Sequence, residues 1–361
     1  MSKIKVDTVT NVAGTGAPNI PDGITIGGVA LASVNTQEHY AQSTEPSSPK
    51  DGAVWYDTDD DKAYVYINSE FYELDYTDIP LHIGNRGLFG GGTSGSNSDV
   101  IDYITITSTG NATDFGNLTV ARYALSACSS GSRGVFGGGT SGSNSDVIDY
   151  VTISSTGNAT DFGNLTAATK FLAACSNVNR GLFGGGNDGT RVNTINYITI
   201  ANTGNATDFG DLLAVRSYLS SCSSSTRGLW AGGFSTTNEI QYVTIATTGN
   251  ATDFGDLTVA RYSLAACSNN IKGLFAGAAS SDVIDHVTIA TTGNATDFGN
   301  LSLARGSIGA TANDSRGVFA GGMASSYSNT IDYVTIATPG NATDFGDLTV
   351  AREYLAGLSG D

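Results

Sequence analysis

Six aspartates recur in one heptapeptide, G-N-A-T-D-F-G, as Asp114, Asp161, Asp208, Asp253, Asp297 and Asp344. A ring of carboxylates is the donor set of an oxygen-liganded cation site. Six identical copies argue against that use, because a site needs donors that break the symmetry and converge on one point. A turn or a side-chain-to-backbone bond is the expected role, with ion-pair partners among Arg122, Arg216, Arg261, Arg305 and Arg352. Thr169 stands where a sixth arginine would be, so such a pair is not obligatory.

The other chemistry-bearing residues are equally regular. Cys128, Cys175, Cys222 and Cys267 fill one slot of four consecutive repeats, with Thr311 and Leu358 in the last two. They lack the C-x-x-C spacing of a zinc site, and equivalent positions on neighbouring units are poorly placed for disulfides. They read as small buried apolar residues. Asp57, Asp59 and Asp61 have the spacing that opens an EF-hand loop, but Lys62 and Asn68 stand where glycine and glutamate are needed. N-A-T in each heptapeptide matches a glycosylation acceptor, and Gly-Asn there reads more simply as a turn. The glycine runs lack the lysine and helix of a phosphate loop. Serine is abundant without a G-x-S-x-G elbow. No catalytic residue, metal or cofactor is expected.

The elements that position these residues repeat with them. The heptapeptides begin at Gly110, Gly157, Gly204, Gly249, Gly293 and Gly340, a period of 44–47 residues. Each repeat opens with a basic residue and a glycine-rich apolar run, at Arg86, Arg133, Arg180, Arg227, Lys272 and Arg316. I-D-Y-V-T-I or a variant follows, then the heptapeptide, then a run such as L-T-V-A-R-Y-S-L-A-A-C-S from Leu257. In the first repeat the strand-length runs are 86–91, 100–107, 112–118 and 123–129. Four short antiparallel strands per repeat is the pattern of a β-propeller blade.

An apolar strand ending in Gly-Gly, then a tyrosine-bearing strand, then an aromatic strand leading to Ala-Arg, resembles the kelch repeat. The resemblance covers all six repeats and implies an all-β, six-bladed, kelch-like β-propeller with four-stranded blades. Phe115, Phe162, Phe209, Phe254, Phe298 and Phe345 stand where kelch blades usually carry tryptophan, and they keep the wedge between blades. The phase implies that the run Arg352 to Gly360 completes the first blade. Kelch-type propellers include copper oxidases, which need histidine and tyrosine ligands close together. Of His39, His82 and His286, only His286 lies well inside the blades, in a slot held elsewhere by Tyr103, Tyr150, Tyr197, Tyr242 and Tyr333. An oxidase is therefore the weakest reading.

The chain of 361 residues carries a net charge of −17, with 4 basic and 13 acidic residues before residue 82. An acidic chain without basic clusters is a poor partner for nucleic acid. No signal-peptide core or membrane span is present in the sequence. Residues 1–40 read as an extended segment. Residues 41–81 read as a three-stranded β-meander (Val54-Trp55-Tyr56, Ala63 to Ile67, Phe71 to Leu74), and 82–361 as the propeller. K-I-K-V-D-T-V-T-N-V-A-G-T-G-A-P-N from Lys3, E-P-S-S-P-K-D-G-A-V-W-Y-D-T from Glu45 and Y-V-Y-I-N-S-E-F-Y-E-L from Tyr64 resemble the starts of structural proteins of tailed bacteriophages. Those of phages infecting marine bacteria are particularly similar. The resemblance implies a virion protein made in the host cytoplasm, a tail fibre or surface appendage. Its N-terminus would dock to other virion proteins and form a homo-oligomer, a trimer by analogy with fibres. A purely architectural or capsid-decorating protein is the alternative.

Variation among the repeats falls on the linkers between the Gly-Gly strand and I-D-Y, which run from 5 to 8 residues. Loops on a rigid scaffold are where recognition resides. The candidate host- or glycan-binding residues are Asn97, Asp99, Asn144, Asp146, Arg191, Asn193, Asn238, Glu239, Asp282, Tyr327 and Asn329. Amides and carboxylates bond sugar hydroxyls, and tyrosine supplies a stacking face. Arg191, Tyr327 and the short linkers of the fourth and fifth repeats break the symmetry most, placing the expected site nearest them.

Overall fold

The computed structural model describes residues 84–278 and 280–360, with 3–5, 25–26, 29–30, 39–42, 46–48, 54–57, 62–67 and 70–75. The chain divides into two units, Met1–Ile79 and Pro80–Asp361. In the first, the strands are β1 (Lys3–Lys5), β2 (Thr25–Ile26), β3 (Val29–Ala30), β4 (His39–Gln42), β5 (Val54–Asp57), β6 (Lys62–Ile67) and β7 (Glu70–Asp75). The aromatic runs β5, β6 and β7 form the antiparallel meander, and the cross-strand pair Tyr66 and Phe71 brings its rings to 4.9 Å. The sheet is wider than the meander alone. Strand β4 adds to β5 and β1 to β7, both in parallel, giving the order β1-β7-β6-β5-β4. Strands β2 and β3 pair with each other. His82, Asp59 and Asp61 lie outside the described residues.

The second unit is a six-bladed β-propeller of four-stranded antiparallel sheets, and no helix occurs among the described residues. Blade 2 is typical. From the axis outward it contains Ser126–Ser129, Arg133–Gly137, Val147–Thr152 and Thr160–Asn164. The fourth run of each repeat is thus the innermost strand of the next blade, and these inner strands contact one another around the axis. Blade 1 takes its inner strand from the C-terminus. Ala356–Gly360 pairs antiparallel with Arg86–Gly90, as the phase of the repeats implies.

Six buried apolar clusters hold the ring, each built from two neighbouring blades. Between blades 1 and 2, Phe115 and Leu118 pack with Phe136, Val151 and Ile153. The five other heptapeptide phenylalanines are likewise buried between blades. Burying each such ring contributes about 2 kcal/mol or more. Gly90 is part of this fit, because a Cβ there would run into the Phe136 ring at 2.6 Å.

The invariance of G-N-A-T-D-F-G has a backbone cause. Gly157 N donates to Phe115 O (2.8 Å) and Ala159 N to Asn117 O (2.8 Å), while Asn158 Oδ1 accepts from Asn117 N (3.0 Å). Each heptapeptide therefore clips onto the outer strand of the preceding blade. Gly110 N to Phe345 O (2.8 Å) repeats the clip where blade 1 meets blade 6. Gly116 sits at φ +150°, and a Cβ there would collide with the Gly157 carbonyl.

The aspartate ring requires a correction. Asp114 and its equivalents are exposed, and the arginines are bonded elsewhere. Arg122 pairs with Asp149 (2.7 Å), Arg261 with Asp285 (2.9 Å), Arg305 with Asp332 (3.1 Å) and Arg352 with Asp102 (2.8 Å), all buried. These are the aspartates of the I-D-Y strand in the following blade. An exposed Asp114 gains little from an ion pair, whereas an arginine already buried at the blade junction requires one. Blade 3 places Thr169 and Asn196 at these two slots, so both charges vanish together. In blade 4 Gln241 replaces the aspartate, and Arg216 pairs with Glu239 instead (2.7 Å).

Candidate functional site

Strand register sorts the loops onto two faces. The heptapeptide turns and the strand-opening basic residues share one face, since Arg133 pairs with Thr152. There Arg133 stacks over Tyr150 (4.5 Å) and donates to Ile200 O of the next blade (2.8 Å). Blade 5 keeps the device with Lys272 and His286; the imidazole meets Phe298 edge-on at 5.5 Å. Burial, then the charge of Lys272, lowers the His286 pKa. This face is occupied in holding blades together.

The variable linkers lie on the other face, beside the loops that lead into the inner strands. Tyr123 bridges to Thr140, Lys170 to Asn187 and Ser217 to Phe234. The inner-strand loops reach the axis at Ala124, Phe171, Tyr218, Ser263, Ser307 and Tyr354, and all six take a left-handed φ of 53–58°. A closed ring of backbone hydrogen bonds runs through them. Phe171 N donates to Ala124 O, Tyr218 N to Phe171 O, and so on to Ala124 N donating to Tyr354 O, at 2.8–3.0 Å. Left-handed geometry costs a non-glycine residue about 1–2 kcal/mol. The chain holds 47 glycines, yet none occupies these slots, and three hold aromatic rings.

The rings gather on one side of the mouth. Phe171 stacks on Tyr218 at 3.8 Å, Tyr354 meets both edge-on (5.3 and 6.2 Å), and Tyr262 links Tyr218 to Phe234 at 6.2 and 5.7 Å. Below them the channel opens into a pocket of about 120 Å³ with serines 126, 220, 221, 263 and 307 in its wall. Lys170 Nζ stands 5.7 Å from the Phe171 ring, and the Arg191 guanidinium 5.1 Å from Phe234. Burial, then the neighbouring Tyr354 and Tyr123, pushes the Tyr218 phenol up to about 12. Burial also raises the Glu353 carboxyl, beside Tyr354. Deeper in the ring, the four cysteines are free and buried, and burial pushes Cys128 and Cys267 up to about 12. Among the described residues no three metal-ligating side chains cluster.

Ten of the eleven candidate residues read from sequence fall into two slots, and Glu239 opens the strand Glu239–Thr244. Asp99, Asp146, Asn193, Asn238 and Asn329 directly precede the third strand from the axis, and Asp282 holds the same position inside the longer blade 5 strand Ser281–Thr288. Their backbone carbonyls accept from Leu118, Leu165, Leu212, Leu257, Leu301 and Leu348 at 2.7 Å. They form a six-fold set rather than one convergent group. Asn97, Asn144, Arg191 and Tyr327 share a second slot, each in a bridge closing its own linker. Asn144 bonds Asn187 O of the next blade (2.9 Å), and Glu239 is committed to Arg216. Of them all, Arg191 is the one in ring contact with the mouth cluster.

The aromatic mouth and Lys170 were missed by sequence reasoning, although a signal existed. Between the Arg/Thr169 slot and the following Leu/Ile, the two intervening residues read Tyr-Ala, Lys-Phe, Ser-Tyr, Tyr-Ser, Gly-Ser and Glu-Tyr. Two adjacent positions inside a nearly fixed run vary more than anything around them. No protein-family model matches the chain, and no curated protein proved similar to it in sequence.

Proposed function

We propose that this chain is a non-enzymatic virion structural protein, a tail fibre or surface appendage. Its N-terminal unit docks to other virion proteins, and its propeller is displayed for contact with the host surface, glycan included. The resemblance of its first 75 residues to tailed-phage structural proteins supports the virion part. The observation that carries the recognition part is the contrast between faces. One face spends its invariant heptapeptides on clips between blades, whereas the other gathers the unrepeated aromatic and basic residues at the axis. A scaffold that needed only to be stable would relieve six left-handed residues with glycine. Pre-incubating host cells with the purified full chain should block adsorption of the particle that carries it. Unchanged adsorption at saturating protein would overturn the recognition reading.

One observation favours the architectural alternative, with the propeller as a decorating module. Val120, Val259, Leu303 and Val350 occupy one slot of four blades on the linker side and remain 42–54% exposed. A regular apolar rim suits a packed neighbour, such as the other chains of a trimer. Light scattering decides: association that survives Val259→Ser/Leu303→Ser comes from the N-terminal unit and not from the rim.

A further inference from the structure

Beyond residue 81 the propeller holds 13 basic residues. Six open the blades and bond carbonyls of the next blade, as Arg86 bonds Ile153 O (2.8 Å). Five are the buried arginines of the blade junctions. Lys170 and Arg191 are the remaining two. They belong to neither repeating set, and neither forms a salt bridge among the described residues. They flank one strip of backbone, since Lys170 and Arg191 both bridge to Asn187. Each is held over an aromatic ring at the rim of the mouth, and Arg191 Nη1 reaches Ser235 Oγ at 3.1 Å. Two unrepeated cations therefore stand beside an unrepeated aromatic cluster.

We propose that the channel mouth binds the acidic end of a glycan, a carboxylated pyranose of the uronate or sialate type. This rests on the recognition reading above and names its ligand. The division of labour follows from the chemistry of the wall. The stacked Phe171 and Tyr218 and the crossing Tyr354 offer flat apolar surface to a sugar ring. Ser221, Ser263, Ser307 and the tyrosine hydroxyls meet its hydroxyl groups, both as donors and as acceptors. Lys170 and Arg191 take the carboxylate through charge-assisted hydrogen bonds. Glu353, two blades from Lys170, accepts from a hydroxyl or amide on the far side of the ring. The mouth is encircled by all six inner-strand loops, a pit rather than a groove, so the bound unit is a chain terminus.

The substitutions that test this already occur elsewhere in the ring, which protects the fold. Ser217 holds the Lys170 slot, Asn97 and Asn144 hold the Arg191 slot, and Ser263 and Ser307 hold the Tyr218 slot. Calorimetric titration of the full chain would use sialyl- and uronate-terminated oligosaccharides, each beside its counterpart with the carboxyl reduced to an alcohol. The acidic form should bind at least about tenfold tighter than the reduced form, and Lys170→Ser/Arg191→Asn should remove that difference. Tyr218→Ser should weaken both forms. Equal binding of acidic and reduced sugars, or wild-type discrimination in the double variant, would overturn the acidic assignment. Binding untouched by Tyr218→Ser would overturn the location. If the chain adsorbs to host cells but binds none of these sugars, this inference falls and the recognition reading stands; if it does neither, both fall.

Discussion

At the scale of residues, the buried ion pairs at the blade junctions are connections with a natural control. Arg122 reaches Asp149 at 2.7 Å and also donates to Gly138 O at 2.8 Å, with both side chains fully buried. Removing one partner strands a buried charge, which costs about 3–5 kcal/mol, whereas removing both costs much less. Blade 3 shows the neutral solution, with Thr169 and Asn196 in place of the two charges. Arg122→Thr should therefore lower stability in urea by about 3 kcal/mol, and adding Asp149→Asn should recover more than half of it. Additive losses would show that the pair is not coupled. His286 gives a pH-dependent case. Its pKa is lowered in the folded state, so the neutral imidazole contributes stability that is present above pH 6.5 and lost as pH falls through the folded pKa. His286→Tyr, the residue of the other blades, should flatten the melting temperature between neutral pH and about pH 5. At this scale the sequence was misleading about partners. The D-F aspartate and the A-R arginine are close in the repeat, but the strand order carries the arginine into the next blade. The paired loss at Thr169 and Asn196 was the legible sign of the true pairing.

At the scale of elements, the strands were legible because their apolar positions recur six times with glycine at fixed places, and Arg86–Gly90 and Thr113–Asn117 appear where the runs 86–91 and 112–118 predict them. The inner strand was read too long. The sequence pattern starts this run at Tyr123, and the strand begins at Ser126 because Ala124 turns left-handed at a φ of 57°. No residue type there announces such a turn, since the ring of backbone hydrogen bonds imposes it. That imposition is measurable. Ser263→Gly and Ser307→Gly should each stabilise the propeller by up to about 1 kcal/mol, because glycine accepts this φ without a Cβ clash. Tyr218→Gly should lose stacking against Phe171 (3.8 Å) and gain less or nothing. Destabilisation by both serine substitutions would mean that their side chains, and not the backbone ring, set the geometry. The aromatic mouth was hard to read for a related reason. Tyr354 stands beside Phe171 because the ring closes, and Tyr354 lies far from Phe171 in the chain.

At the scale of the whole molecule, closure is the property on which the rest depends. The number of blades and the phase of the repeat could be counted from the heptapeptides, and the C-terminal strand had one vacant place to fill. Three separate connections converge on that place. Ala356–Gly360 pairs with Arg86–Gly90 along its whole length, Arg352 binds Asp102 at 2.8 Å, and Tyr354 N donates to Ser307 O at 2.8 Å in the axial ring. Leu358 packs with Leu88 and Ile101 in the cluster between blades 1 and 2. Deleting residues 351–361 breaks all of these at once and leaves Arg86–Gly90 as an unpaired inner edge, a template for aggregation. Neighbouring blades stabilise one another, so the loss should spread around the ring rather than stay in blade 1. Circular dichroism of the truncated chain should show a lower and broader melt than the parent. Loss of stability alone would not prove closure, because many truncations destabilise. The decisive step is to add back a synthetic peptide covering 349–361. If the vacant place is what the deletion created, the peptide should restore a cooperative melt in a saturable way, and a peptide carrying Leu358→Asp should fail. A truncated chain that melts at the parental temperature, or one indifferent to the peptide, would refute the closure.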